Sequence, residues 1–238
     1  MERFRRLLPD AAAGLEAADL AAAIPGPAPP GRPLLLVNFI ATADGRATIA
    51  GRTGPIANRA DYEVFHALRT RVDAVMVGAE TVRVEGYGRM QPTAVLVTRS
   101  ARVPAEVGLL AAPDNRVLVL TPSPAAELPP CAAEVGYLRA PLAEGVRRLR
   151  TEHGFDSVLC EGGPQLLGGL LRAGLVDELH LVVASKLVAG DDPVTIVSGP
   201  QLSPPLELEL LSLHESGGYL FVRYAVGEVT SSPGSSPA

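Results

Sequence analysis

The chain has 238 residues, 47% hydrophobic against 20% charged, with a net charge of −5, which permits one sizeable core and argues against global disorder. That charge does not indicate a broad basic face for nucleic acid, and aromatics at 4% with no tryptophan do not indicate a base-stacking platform. No apolar run is long enough for a bilayer, Cys131 and Cys160 have neither metal-ligand spacing nor a disulfide framework, and the N-terminus lacks a signal-like apolar core, so a cytoplasmic protein without metal, membrane or nucleic-acid partner is expected.

Residues 1–32 read as an N-terminal extension. An alanine-rich amphipathic helix over 2–23 is followed by the proline-rich linker IPGPAPPGRP, Ile24 to Pro33, which cannot be helical. The main domain spans 33–226. It opens with the uncharged apolar run Leu34 to Ala41, the pattern of a strand covered on both faces. Thr42-Ala43-Asp44-Gly45-Arg46 follows, either a plain turn or a carboxylate at the tip of a central strand, where open α/β sheets bind ligands.

Asn58 has the character of an N-cap, with Asp61 as an acidic partner three residues on, and the helix runs to about Thr70 on a core stripe of Val64, Phe65 and Leu68. Val72 to Gly78 is a further buried strand, continued by a short helix over Ala79 to Glu85 and the flexible loop Gly86-Tyr87-Gly88-Arg89. Thr93 to Thr98 is a strand ending in Arg99-Ser100-Ala101-Arg102, a cationic hydroxyl-bearing loop suited to a 2′-phosphate or simply solvated. Strands at Arg116 to Leu120 and Glu134 to Leu138 precede a helix from Pro141 to His153.

The most informative stretch is Ser157 to Val183. A short strand ends at Cys160, turns through Glu161-Gly162-Gly163, enters a helix at Pro164 and returns as a strand from Glu178, which makes one βαβ unit. Glycines permit close backbone approach, and the free amides of a helix N-terminus carry partial positive charge, so the turn suits a phosphate. It equally suits a tight packing turn without a ligand. Ala184 to Gly199 reads as loop, the strands at Leu206 to Leu213 and Gly218 to Val226 as an edge hairpin, and residues 227–238 as a disordered tail. About eight strands and four core helices imply a mostly parallel, doubly wound α/β sheet with an antiparallel C-terminal edge.

TADGR (42–46), GPIANRADYEVFHALR (54–69), VGAETVRVEG (77–86), LCEGGPQLLGGLL (159–171) and GLVDELHLVVASKLVAG (174–190), in this order, resemble the reductase half of the bifunctional riboflavin-biosynthesis deaminase–reductases and still more their stand-alone relatives. No zinc-deaminase signature accompanies them. The resemblance implies a dihydrofolate-reductase-like fold, NADPH as hydride donor, a homodimer, and reduction of a ribosylaminopyrimidine 5′-phosphate to its ribitylamino form.

By the same resemblance, Thr81 and Glu85 match cofactor contacts, Thr98, Arg99 and Ser100 meet the adenosine 2′-phosphate, and Gly162, Gly163, Pro164 and Gln165 hold the diphosphate. Thr53 and Arg69 match substrate positions, and Arg69 suits the substrate phosphate. Glu161 matches a substrate-contacting carboxylate, and Glu161 and Asp44 are the candidate catalytic groups. Asn38 stands where bifunctional members often carry lysine, and Arg89 is the candidate replacement for an arginine in a segment that is shortened here. Two other functions compete: reduction of dihydrofolate or another pteridine-like heterocycle, and a non-catalytic NADP-binding sensor.

Overall fold

The computed structural model describes residues 1–24, 26–191 and 193–227. Its centre is β3 (Leu34–Thr42), in which every residue but Phe39 is buried. Alternation along the strand sends Leu34, Leu36 and Ile40 into one layer of the core, and Leu35 and Val37 into the other. Such a strand has no solvent face, which explains its unbroken apolar sequence.

The first layer is closed by α2 (Arg59–Arg69) and α3 (Ala79–Glu85) through Ala60, Val64, Leu68 and Val82. The second is closed by α5 (Leu142–Thr151) and α6 (Pro164–Arg172) through Val146, Leu149, Leu167 and Leu170. The parallel strands between these layers are β3, β4 (Ala74–Gly78), β5 (Thr93–Val97), β6 (Arg116–Thr121), β7 (Glu134–Arg139), β8 (Ser157–Cys160) and β9 (Glu178–Ala184). With β1 (Phe4–Leu8), β2 (Ala12–Leu15), β10 (Leu208–Ser216) and β11 (Tyr219–Val226), they form one sheet ordered β2-β1-β10-β11-β9-β3-β8-β4-β5-β6-β7. β8 is inserted between β3 and β4. The carboxyl ends of these three strands therefore converge on one rim, the place where such sheets bind ligands.

Two expectations need correction. Residues 2–23 do not form one helix: β1 and β2 pair antiparallel, and only Ala17–Ala21 (α1) is helical. β1 pairs with β10, with Arg5 opposite Glu215, and Phe4 meets the edge of Phe221 at a centroid separation of 5.1 Å. The antiparallel edge is accordingly wider than expected, since the C-terminal hairpin lies inside it and β2 forms its margin. A one-turn helix, α4 (Gly108–Ala111), occupies a stretch without an expected element. The 184–199 segment carries no regular element after β9. The proposed tail falls, beyond Gly227, outside the described residues. No helix among the described residues is long and apolar enough to cross a membrane.

Candidate active site

Two strand-to-helix turns meet at the rim. At the first, β4 passes through Gly78 into α3; at the second, β8 passes through Glu161, Gly162 and Gly163 into α6. The Gly78 N–H donates to the Gly162 carbonyl at 2.7 Å, and the Glu161 N–H donates to Met76 at 2.9 Å. Gly162 has φ +112°, a conformation that side chains resist. A Cβ on Gly163 would lie 2.9 Å from Thr81 Oγ1. Gly162 is therefore required by its backbone conformation and Gly163 by the approach of Thr81. Gly163 caps α6 without a side-chain hydrogen bond and Pro164 occupies its first turn, so the following amides are left to solvent or a ligand.

A cavity of about 770 Å³ opens beside these turns. Of the expected cofactor residues, Thr81, Glu85, Gly162, Gly163 and Pro164 line it. Of the expected substrate residues, Asn38, Thr53, Arg69 and Glu161 do. The Glu85 carboxylate accepts the Thr53 N–H at 2.9 Å and so holds the loop that carries Thr53. Gln165 is exposed on α6, and Arg99 and Ser100 are exposed at the tip of β5, all outside the cavity wall. Thr98 is buried, and its Oγ1 accepts the N–H groups of Ser100 and Ala101, shaping that tip.

Two further expected residues, Asp44 and Arg89, also lie off the cavity wall. The Asp44 carboxylate accepts the Thr42 hydroxyl and the N–H groups of Val188 and Ala189, and these bonds hold its pKa down at about 2. It fixes a turn against the loop after β9, and an anion so committed is a poor proton carrier. Arg89 is also off the wall, exposed and paired with Asp114 at 3.1 Å.

The strongest electrostatic feature is a buried ion pair. Arg69 Nε and Nη2 each donate to Glu161 at 2.7 Å, a bidentate geometry. The Glu161 side chain is 1% exposed and that of Arg69 13%. The guanidinium lies 4.0 Å from the Phe65 ring centroid and 5.3 Å from that of Tyr87. Burial pushes the Glu161 carboxyl upward while Arg69 pulls it back. Burial together with the Glu161 charge drives the Tyr87 phenol well up, so it stays a neutral donor at the cavity wall. Phe65, assigned to the core stripe by its spacing, lines the cavity instead.

Asp61 is on the wall as well. Its N–H donates to the Asn58 cap at 2.9 Å, but its carboxyl does not reach back as the expected capping partner. The spacing Asp61, Phe65, Arg69 is the signal that could have exposed this face, since residues four apart share a helix stripe. Cys160 is fully buried with its thiol raised to about 12, as befits an inert core residue.

The model of the RibD C-terminal domain family matches residues 33–221. A 2,5-diamino-6-ribosylamino-4(3H)-pyrimidinone 5′-phosphate reductase of Methanothermobacter thermautotrophicus is 31% identical over 216 residues, covering 82% of this chain and 99% of that protein. A riboflavin biosynthesis protein RibD of Actinobacillus pleuropneumoniae is 28% identical and matched over 82% of this chain, which spans only 57% of its length. Among solved structures, a pyrimidine reductase-like protein of Corynebacterium diphtheriae superposes with a TM-score of 0.74 at 24% identity, covering 90% of this chain and all of that one. The fold is dihydrofolate-reductase-like, and with a family match over most of its length, this chain belongs to the RibD C-terminal domain family.

Proposed function

We propose that the protein is an oxidoreductase of riboflavin biosynthesis that uses NADPH to reduce a ribosylaminopyrimidine 5′-phosphate to the ribitylamino compound. Family membership supports the reaction class. The observation that carries the reading is the pairing, on one cavity wall, of an uncapped helix N-terminus at a doubled glycine with the buried Arg69–Glu161 pair.

These residues fit a dinucleotide. The free amides of α6 suit its diphosphate, and the exposed Arg99 beside Ser100 suits a 2′-phosphate. When bound, the cofactor supplies a hydride. The chain's own task is positioning and electrostatics. Glu161 uses two Arg69 nitrogens and leaves Nη1 for an anionic group of the substrate. The same carboxylate, close to the rim, favours positive charge on an opened ribosylamine, whose carbon takes the hydride while its nitrogen takes a proton. Tyr87, a neutral donor, orders the substrate from the facing loop. A homodimer in the cytoplasm belongs to the same reading, and equilibrium sedimentation tests the assembly.

Substituting Glu161→Gln tests the site. Turnover should fall at least about tenfold, the scale of losing one charged contact, while NADPH affinity stays within about twofold. Equal loss of both, or of neither, would remove Glu161 from the reaction.

A further inference from the structure

Helix α2 presents a second carboxyl to the cavity, and nothing in the described chain satisfies it. Asp61, Phe65 and Arg69 follow one another at four-residue spacing and all line the cavity. Among the described residues, the Asp61 carboxylate accepts no hydrogen bond and forms no ion pair, while its backbone N–H donates to the Asn58 side chain. Desolvation is the sole cause acting on its pKa, which rises to about 6, and no neighbouring charge opposes it. Elsewhere in the fold, buried carboxylates are matched, Glu161 by Arg69 and Glu178 by Arg223. Asn38, 8% exposed, also contributes to the lining; its Oδ1 lacks a partner, but that atom is sealed from the cavity space. An ionised carboxylate only accepts hydrogen bonds, so the ligand that meets Asp61 must bring donors.

Position narrows the choice. Asp61 and Arg69 are eight residues apart, about 12 Å of helix rise, a span suited to a sugar phosphate between a ring at one end and an anion at the other. Resting on the reductase reading above, we propose that Asp61 selects the substrate's ring, accepting hydrogen bonds from an exocyclic 2-amino group and the adjacent ring N–H. The preferred substrate is then a 2-aminopyrimidin-4-one. Its deaminated uracil counterpart keeps the ring N–H but would set a carbonyl oxygen against the carboxylate in place of the second donor. A site built around such a donor pair rejects the analogue that lacks one member strongly.

The test compares kcat/KM for the 2,5-diamino ribosylaminopyrimidinone 5′-phosphate and its uracil counterpart, with NADPH, in wild type and in D61N and D61A. Wild type should prefer the diamino compound by roughly 10- to 100-fold. Both variants should lose most of that preference through KM for the diamino compound, with the NADPH dissociation constant unchanged. A preference that survives in both variants, or a wild type that favours the uracil, overturns the assignment while leaving the reductase reading intact. A wild type that reduces neither compound overturns both. Circular dichroism of each variant establishes that it is folded, and D61N, which removes a charge and almost no volume, keeps the comparison decisive if D61A fails to fold.

Discussion

The cavity holds two carboxylates in opposite circumstances. Glu161 ends a central strand and is clamped by two nitrogens of Arg69. Asp61 sits two turns earlier on the same helix as Arg69 and faces the cavity without a partner. The first is complete in the free protein, and its geometry is set before any ligand arrives. The second is incomplete, so the chain carries an electrostatic cost there that only a ligand removes. A folded protein does not need the second arrangement, which is the reason to read it as recognition and the first as preorganisation.

The comparison breaks hardest at the ion pair. Arg69→Ala leaves Glu161 buried and uncompensated, and should cost about 3–5 kcal/mol in urea unfolding. The double variant with Glu161→Gln should lose less than the two single costs together, because the charge left alone is also gone. Strict additivity in that cycle would mean the pair does not act as a unit.

Asp61 should behave in the reverse sense. Its folded pKa of about 6 exceeds the reference value of 3.8, so ionisation works increasingly against the fold as pH rises through that window, up to neutral pH. D61N should therefore stabilise the free protein at pH 7 by about 1–3 kcal/mol, with the gain vanishing near pH 4. The wild-type kcat/KM for the diamino substrate should fall as pH drops below about 6, whereas D61N should lack that limb. The other titratable groups on the wall are Tyr62, Arg69, Glu80, Glu85, Tyr87 and Glu161, and none contributes to the Asp61 shift. A destabilised D61N would show that its carboxylate has a partner after all.

Smaller effects sharpen the preorganised side. Gly163→Ala places a methyl against Thr81 Oγ1 and should cost about 1–3 kcal/mol with weaker NADPH binding. Thr81→Ala in the same chain should recover part of the stability. Arg99→Ala, on an exposed loop, should change only the preference for NADPH over NADH, by about tenfold or less.

The βαβ unit at Glu161 was legible because its information is local: an apolar run, two glycines, a proline at the first helical turn and leucines at helical spacing. The strand boundaries Ser157–Cys160 and the helix Ala79–Glu85 follow from the same kind of signal. Residues 2–23 were misread because alanine favours helix, whereas β1 owes its form to β10, more than two hundred residues away. Pro9 and Gly14 were the local warnings, since neither suits a helix interior. Asp61 was legible as a helix-start residue but not as part of a wall. The four-residue spacing of Asp61, Phe65 and Arg69 puts them on one stripe of α2, but that this stripe meets empty space depends on the turns of two other strands. Asp44 failed for the converse reason: a carboxylate at a strand tip has the right address, but its partners, Val188 and Ala189, come from a distant loop.

The most direct measurement is the loss of reduced-cofactor absorbance when NADPH is mixed with the protein and a ribosylaminopyrimidine 5′-phosphate, with the dephosphorylated compound and dihydrofolate as parallel substrates. The account predicts rapid oxidation with the phosphorylated pyrimidine, at least about tenfold slower oxidation without the phosphate, and negligible oxidation with dihydrofolate. Oxidation by dihydrofolate as fast as by the phosphorylated pyrimidine, or no oxidation with any of the three, would contradict it.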